Sequence, residues 1–284
     1  MLHVLEPSQT AFYKEQQYIH AQGVIPGELL ELGRSIIIRW VDETVNEWLE
    51  KGLITDPRTD LGFEKRLVQL WNDAGKPAYH RSPRRDLVGE EMYNFLRHPK
   101  LLDLAADLLG TDELSVHGIF NARPKLPDQK WTDTPWHQDA QYYRDAENVH
   151  VASIWIPLQK VTEFNSCLQV APGFFTNTLL EGHTDEETHF IGLSKEDASQ
   201  LEGLSVEMEP GDALCFTQLL PHRAVSNRSD AVRWSLDLRY EATPTATEAG
   251  KAQGFVARSL ANPDSVDSLE TWLSKWEGIP RGSY

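Results

Sequence analysis

Cysteine is scarce in this chain: Cys167 and Cys215 are the only two in 284 residues. Two thiols cannot build a disulfide framework or, unaided, a structural zinc site. They read as reduced core side chains, which points to a reducing compartment and a cytoplasmic location. Positive charge is also short. Lys and Arg number 27 against 43 Asp and Glu, a formal net charge of -16. So acidic a surface repels phosphate backbones and argues against a nucleic-acid partner. Long apolar runs are missing. The longest, such as Ile36–Ile38 and Ile154–Leu158, fall far short of the roughly 20 residues that span a bilayer. The first residues show no basic-then-apolar order of a signal peptide, and the last four match no targeting or lipidation signal, so no membrane partner is expected. Repeats and low-complexity tracts are absent as well. What is present is an ordinary globular composition, 40% hydrophobic and 25% charged, long enough to bury a sizeable core.

The first 110 residues read as helical. Ser8 is a plausible N-cap for a helix over Gln9–Gln22, with Gly23 as its stop. Leu29, Leu32, Ile36, Ile37, Trp40, Val41, Val45 and Trp48 recur at helical spacing and predict a second helix over Glu28–Leu49. Further helices are predicted over Phe63–Asn72, Glu90–Leu96 and Lys100–Leu109. Between them the run Lys76–Arg85, with Arg81, Arg84 and Arg85, is basic. It reads as a solvated loop or, against the acidic background, as an anion-binding rim.

After Gly110 short β-type runs alternate with turn signals: Leu114–Ala122, Val149–Pro157, Ser166–Ala171, Leu204–Met208, Asp212–Thr217 and Val232–Tyr240. A helical preface followed by many short strands suggests a β-sandwich or barrel buttressed by helices. Ala242–Gly254, rich in Thr, Ala and Gly, reads as a mobile loop or an ordered rim that could help cap a pocket. Asp267–Trp276 reads as a last helix.

The chemistry-bearing stretch is Thr134-Pro-Trp-His-Gln-Asp139. On a strand, residues two apart share a face, so His137 and Asp139 would present an imidazole and a carboxylate side by side. That is two thirds of a facial triad, which leaves open positions on a metal ion. The pair alone is weak, since such pairs occur by chance. A third ligand must come from elsewhere, and Pro221-His222 follows a predicted strand. Arg233 comes eleven residues later, inside the run Val232–Tyr240. A buried arginine on a strand needs an anionic partner, and its planar guanidinium suits a carboxylate held bidentately. Together the four residues are far more specific than any one.

On these stretches the chain resembles the phytanoyl-CoA dioxygenase family of Fe(II)/2-oxoglutarate oxygenases. The matching pieces are Thr134–Asp139, Ile154–Leu158, Asn165–Gly173, Met208–Asp212, and His222 through Asn227 and Ser229 to Arg233. By motif the resemblance covers about residues 110 to 241. It implies a mostly β fold with a helical buttress, a double-stranded β-helix (jelly roll, cupin-like). The expected organisation is one domain over 1–284, with a helical N-terminal segment 1–110, a jelly-roll core 111–241 and a C-terminal loop and helix 242–284. It implies Fe(II), 2-oxoglutarate and O2 as cofactor and cosubstrates. His137, Asp139 and His222 would be the catalytic iron ligands, and Arg233 the clamp on 2-oxoglutarate. By the same resemblance Asn121 and Trp155 would contact the cosubstrate, and Ser235 would belong to an arginine-x-serine pair. The chain departs from the family at Ser166, where a glycine commonly follows the asparagine, and at Ala224, where a small hydroxyl residue often stands. Related iron halogenases lack the carboxylate, so Asp139 favours hydroxylation or another oxidation such as desaturation.

The implied activity is therefore hydroxylation of an unactivated C–H bond of a small molecule, with release of succinate and CO2. Gln138, Gln141, Tyr142 and Tyr143 could meet substrate or simply form a polar loop. Trp131, Trp136, Trp155 and Trp234 read mostly as core, with one or two as an apolar wall. His183 and His189 read as members of a solvated acidic loop, and His117 as a core or cleft residue. Two other classes stay open: a cupin-like barrel that binds metal without turnover, and a zinc-dependent hydrolase or isomerase on the same triad. Arg233 weighs against the first and the lack of an evident general base against the second.

Overall fold

A long apolar stripe makes the longest helix among the described residues. Gly27–Glu50 runs 24 residues, opened by Pro26 and with Glu28 in its first turn, where a negative charge favours the helix N-terminus. Leu29, Ile36, Ile37, Trp40, Val41 and Val45 are buried along it. The structure is a computed structural model that describes residues 3–77, 84–129, 132–143, 150–174, 178–186 and 189–281. Arg81 and Trp131 lie outside the described residues.

The helices are α1 Pro7–Gln16, α2 Gly27–Glu50, α3 Arg66–Asp73, α4 Arg84–Leu87, α5 Glu90–Leu96, α6 Pro99–Leu109, α7 Lys195–Ser199, α8 Glu248–Gln253 and α9 Leu269–Ser274. The strands are β1 Tyr18–Ala21, β2 Leu114–Val116, β3 Asn121–Ala122, β4 Thr134–His137, β5 Val151–Pro157, β6 Leu168–Val170, β7 His183–Thr184, β8 Ile191–Gly192, β9 Leu204–Val206, β10 Ala213–Thr217, β11 His222–Ala224, β12 Ser235–Ala242 and β13 Phe255–Arg258. A seven-stranded sheet has the order β1-β10-β5-β12-β2-β13, with β3 also on β12, and a four-stranded sheet has the order β4-β11-β6-β9. The pairings in both are antiparallel.

Three layers result. Alternate residues of a strand face opposite ways, and the large sheet uses both faces. Ala213, Cys215, Ile154, Ile156, Leu236 and Leu238 join the helices in the main core. Leu214, Phe216 and Trp155 turn the other way and meet Leu168, Val170 and Val206 of the small sheet. Cys167 and Cys215 are buried free thiols, one in each core.

The expectation of a mostly β chain needs adjustment. Among the described residues helix exceeds strand, 35% against 21%, and the sheets are not closed into a barrel. The β character belongs to the core, while the N-terminal third and several connections are helical. The first predicted helix is also shorter than expected. It ends at Gln16, Gln17 takes a left-handed φ of 63°, and Tyr18–Ala21 becomes an edge strand on β10. The hydrogen-bonding edge that claims those residues lies almost 200 positions away, so local periodicity did not show it. Likewise Ala242–Gly254 is an ordered rim, with Thr247 and Gly250 buried, and β13 follows it on β2.

Candidate metal centre

His137 closes β4, Gln138 stays extended, and Asp139 opens a single 3-10 turn. The imidazole and the carboxylate therefore share a face, and Gln138 points the other way. Its buried amide donates to Thr178 O and Leu219 O, both at 2.7 Å, and accepts from Leu180 N at 2.9 Å. Gln138 thus ties down the loops behind the site rather than meeting substrate. Gln141 does similar work, donating to Leu180 O at 3.1 Å. The second histidine arrives by strand pairing, with His222 of β11 directly opposite His137. Their rings lie 4.1 Å apart. From Asp139 Oδ1 to Nε2 is 4.0 Å for His137 and 3.9 Å for His222. All three donor atoms fall within 4.8 Å of one another, and all three residues are buried.

The chemistry of the donor set fits a divalent metal. His137 Nδ1 lies 2.9 Å from Pro135 O and His222 Nδ1 lies 3.0 Å from Leu220 O. Each Nδ1–H donates to its carbonyl, which fixes the tautomer and leaves Nε2 as a lone-pair donor. Burial, then His222, lowers the His137 pKa to about 3. Burial likewise lowers that of His222. Both rings are neutral at physiological pH, as ligation requires. Burial pushes the Asp139 carboxyl up, but Arg239 and then the histidines outweigh it and hold the group well below the usual carboxylate range. Arg239 forks onto Asp139 with Nη2 to Oδ1 at 2.7 Å and Nε to Oδ2 at 3.0 Å, and Ser153 Oγ donates to Oδ2 at 2.6 Å. Two neutral imidazoles and a pinned carboxylate are the donor set of a non-haem Fe(II) facial triad.

Arg233 sits beside this cluster. Only 2% of it is exposed, its guanidinium lies 5.2 Å over the Trp155 ring, and Nη1 donates to Ser235 Oγ at 2.6 Å. Its Nε is buried without a partner, and among the described residues no carboxylate pairs with it. Burial, then Arg123, lowers its pKa to about 9. A slot of about 50 Å³ lined by Trp155, Lys125, Thr134 and Arg233 opens onto His137 and His222. A second cavity, of about 360 Å³, shares His137 with that slot and is lined by Asp139.

A phytanoyl-CoA dioxygenase (PhyH) family model matches residues 73–235, more than half of the chain. The chain belongs to that family. It is a non-haem iron, 2-oxoglutarate-dependent oxygenase. The probable phytanoyl-CoA dioxygenase of Caenorhabditis elegans is 24% identical over 251 residues, covering 84% of this chain and 75% of that protein. The 1-deoxypentalenic acid 11-beta-hydroxylase of Streptomyces arenae is 26% identical over 286 residues, covering 95% of this chain and 90% of that protein. The chain spans only 46–59% of the length of the mammalian peroxisomal phytanoyl-CoA dioxygenases it matches. Among solved structures, EctD from S. alaskensis with 2-oxoglutarate and 5-hydroxyectoine superposes with a TM-score of 0.59 at 18% identity, over 87% of this chain and 79% of that one.

Of the residues expected in a PhyH site, His137, Asp139 and His222 come together, Arg233 and Trp155 line the slot beside them, and Ser235 reaches that slot only through its hydrogen bond from Arg233. Asn121 does not join the slot. It lines the larger cavity, accepts from Arg84 Nη2 at 3.1 Å and donates to Asp237 Oδ2 at 3.4 Å. Tyr142 and Tyr143 line the larger cavity too, and so does His189, which the sequence suggested was simply solvated. His117 is buried against the Tyr143 ring at 5.0 Å. Trp136 lies under Arg223 at 4.7 Å, and Trp234 is core. Sequence reasoning missed Arg239 and Ser153. The signal for Arg239 was present: Arg233, Ser235, Asp237 and Arg239 alternate with Trp234, Leu236, Leu238 and Tyr240, which marks one polar face along a buried strand.

Proposed function

We propose that this chain hydroxylates an unactivated C–H bond of a small molecule, consuming 2-oxoglutarate and O2 and releasing succinate and CO2, with the whole chain working as one domain. His137, Asp139 and His222 hold the iron, which supplies the oxidising chemistry when bound with 2-oxoglutarate. The observation that carries the cosubstrate assignment is Arg233, a buried guanidinium that no carboxylate among the described residues pairs with directly, although Asp237 also lines the slot, which opens onto the triad. An arginine left so uncompensated is a costly arrangement unless an anion arrives. The distal carboxylate of 2-oxoglutarate is such an anion, with Ser235 and Trp155 orienting the guanidinium that receives it. Arg239 and Ser153 hold Asp139 in place as a ligand, and Gln138 closes the backbone behind it.

The test is anaerobic addition of Fe(II) and 2-oxoglutarate to the protein, followed by its weak visible charge-transfer absorption. The wild type should show the band, His137→Ala should lose it, and Arg233→Ala should need roughly tenfold or more cosubstrate to reach it, the scale of a lost charge-assisted hydrogen bond. A folded, iron-loaded wild type without the band would overturn the cosubstrate assignment and favour a metal-binding barrel or a zinc hydrolase.

A further inference from the structure

The larger cavity holds an arginine that neither the metal nor the cosubstrate explains. Three arginines, Arg84, Arg123 and Arg239, line it, against the single carboxylate of Asp139. Two of the three have acidic partners. Arg239 forks onto Asp139, and Arg123 Nη2 lies 3.5 Å from Asp237 Oδ2. Arg84 has none among the described residues. Its Nε donates to Phe120 O at 2.9 Å and its Nη2 to Asn121 Oδ1 at 3.1 Å. Both acceptors are neutral; they aim the guanidinium and leave Nη1 without a partner among the described residues. Burial, then Arg239 and Arg123, lowers its pKa to about 10, the sign of a cation crowded by like charge. Arg85, its neighbour in the basic run, turns away and donates to Ile279 O at 3.0 Å. So Arg84, which reaches the cavity from that run, is the one of the three cavity arginines without an acidic partner among the described residues. The rest of the wall is largely apolar or aromatic, with Ile119, Phe190, Tyr142 and Tyr143.

We propose that the substrate carries an oxyanion group, a carboxylate or a phosphoryl-type group, which docks on Arg84 with Arg123 beside it, while its apolar body lies against Ile119 and Phe190 toward the triad. This rests on reading the chain as an oxygenase whose substrate enters the larger cavity. An oxyanion there would take the Nη1 donor and relieve the repulsion among the arginines. It would also be wired to the metal centre. Arg84 bonds Asn121, Asn121 bonds Asp237, Asp237 bonds Arg239, and Arg239 holds Asp139.

The experiment uses the full chain loaded with Zn(II), a diamagnetic stand-in, and 2-oxoglutarate. Binding of trifluoroacetate and of its neutral analogue trifluoroacetamide is followed by 19F line broadening, and binding of inorganic phosphate by 31P line broadening. Saturable broadening is expected for at least one anion and not for the amide. Trifluoroacetate alone would assign a carboxylate substrate, and phosphate alone a phosphoryl-type one. Arg84→Gln, which keeps an amide donor for the Phe120 carbonyl, should weaken the anion about tenfold, and Arg84→Lys should restore some of the loss. Calorimetry should find 2-oxoglutarate affinity unchanged in Arg84→Gln. No broadening by either anion, equal broadening by the amide, or an anion indifferent to Arg84→Gln would overturn the proposal. So would a loss of 2-oxoglutarate affinity in that variant, which would move Arg84 into the cosubstrate clamp. A wild type that binds no 2-oxoglutarate would instead sink the oxygenase reading beneath it.

Discussion

Asp139 is the residue on which the site turns. It is 1% exposed, yet it must stay ionised to ligate. Burial pushes its pKa up, and the bidentate contact from Arg239, then the two histidines, outweigh that. Arg239 in turn is held by Asp139 and by Asp237, whose Oδ2 lies 3.3 Å from Nη2. A buried charge pair is worth little against an apolar replacement, but removing one partner strands the other. Arg239→Leu should therefore destabilise the metal-free protein by about 3–5 kcal/mol, measured by urea unfolding. The loss should shrink when Zn(II) is present, because the cation takes over the neutralising role. A metal-free variant as stable as wild type would show that Arg239 does not hold the carboxylate. Ser166 is a smaller case at the same scale. It adopts φ 74°, a conformation that favours glycine, which accounts for the glycine common at this point of the family. Here the serine hydroxyl donates to Val225 O, which offsets the strain.

At the level of elements, β12 organises the molecule. Its odd-numbered residues Ser235, Asp237 and Arg239 face the site, and Leu236, Leu238 and Tyr240 face the helices. Just before the strand, Trp234 packs on Trp40 and Phe63, with ring centres 6.1 and 5.8 Å away. The rim after β12 is equally committed. A side chain at Gly254 would sit 2.1 Å from Val116 O and 2.2 Å from Gly250 O, both backbone atoms that cannot step aside. Gly254→Ala should thus cost about 1–3 kcal/mol in unfolding free energy, the range of overpacked cores. It should also open the 242–254 segment to limited proteolysis. A neutral substitution that leaves the segment resistant would mean that the rim is looser than its contacts imply.

Stability against pH belongs to the whole molecule. The His117 pKa is lowered to about 3, by burial first and then by Arg239 and Arg84. In the unfolded chain a histidine takes up its proton near 6.5. Between those values the unfolded state binds more protons than the native one, so stability rises with pH and is lost as pH falls from about 6.5 towards 3. Asp139, with its lowered pKa, adds a loss of the same sign in more acid solution. The metal-free protein should accordingly show a lower urea midpoint at pH 5 than at pH 7.5, and His117→Gln should flatten some of that slope. An identical midpoint at the two pH values would contradict the burial of an uncharged imidazole there. Among the described residues no helix is long and apolar enough to cross a membrane.

Residue type and spacing singled out His137, Asp139, His222 and Arg233 as candidates, and the resemblance to a family gave them their expected roles as ligands and clamp. The helix of residues 27–50 and most core strands were also legible, since their apolar periodicity is a local property. The pairing of β1 with β10, the opposition of His222 and His137, and the turn of Asn121 away from the Arg233 slot were not. Each depends on which segments meet across long sequence separations. The same holds for Arg239 on Asp139 and for Arg84 in the larger cavity. A charge written in the sequence carries no mark of its partner, and only the packed fold decides whether it is neutralised, exposed or left waiting for a ligand.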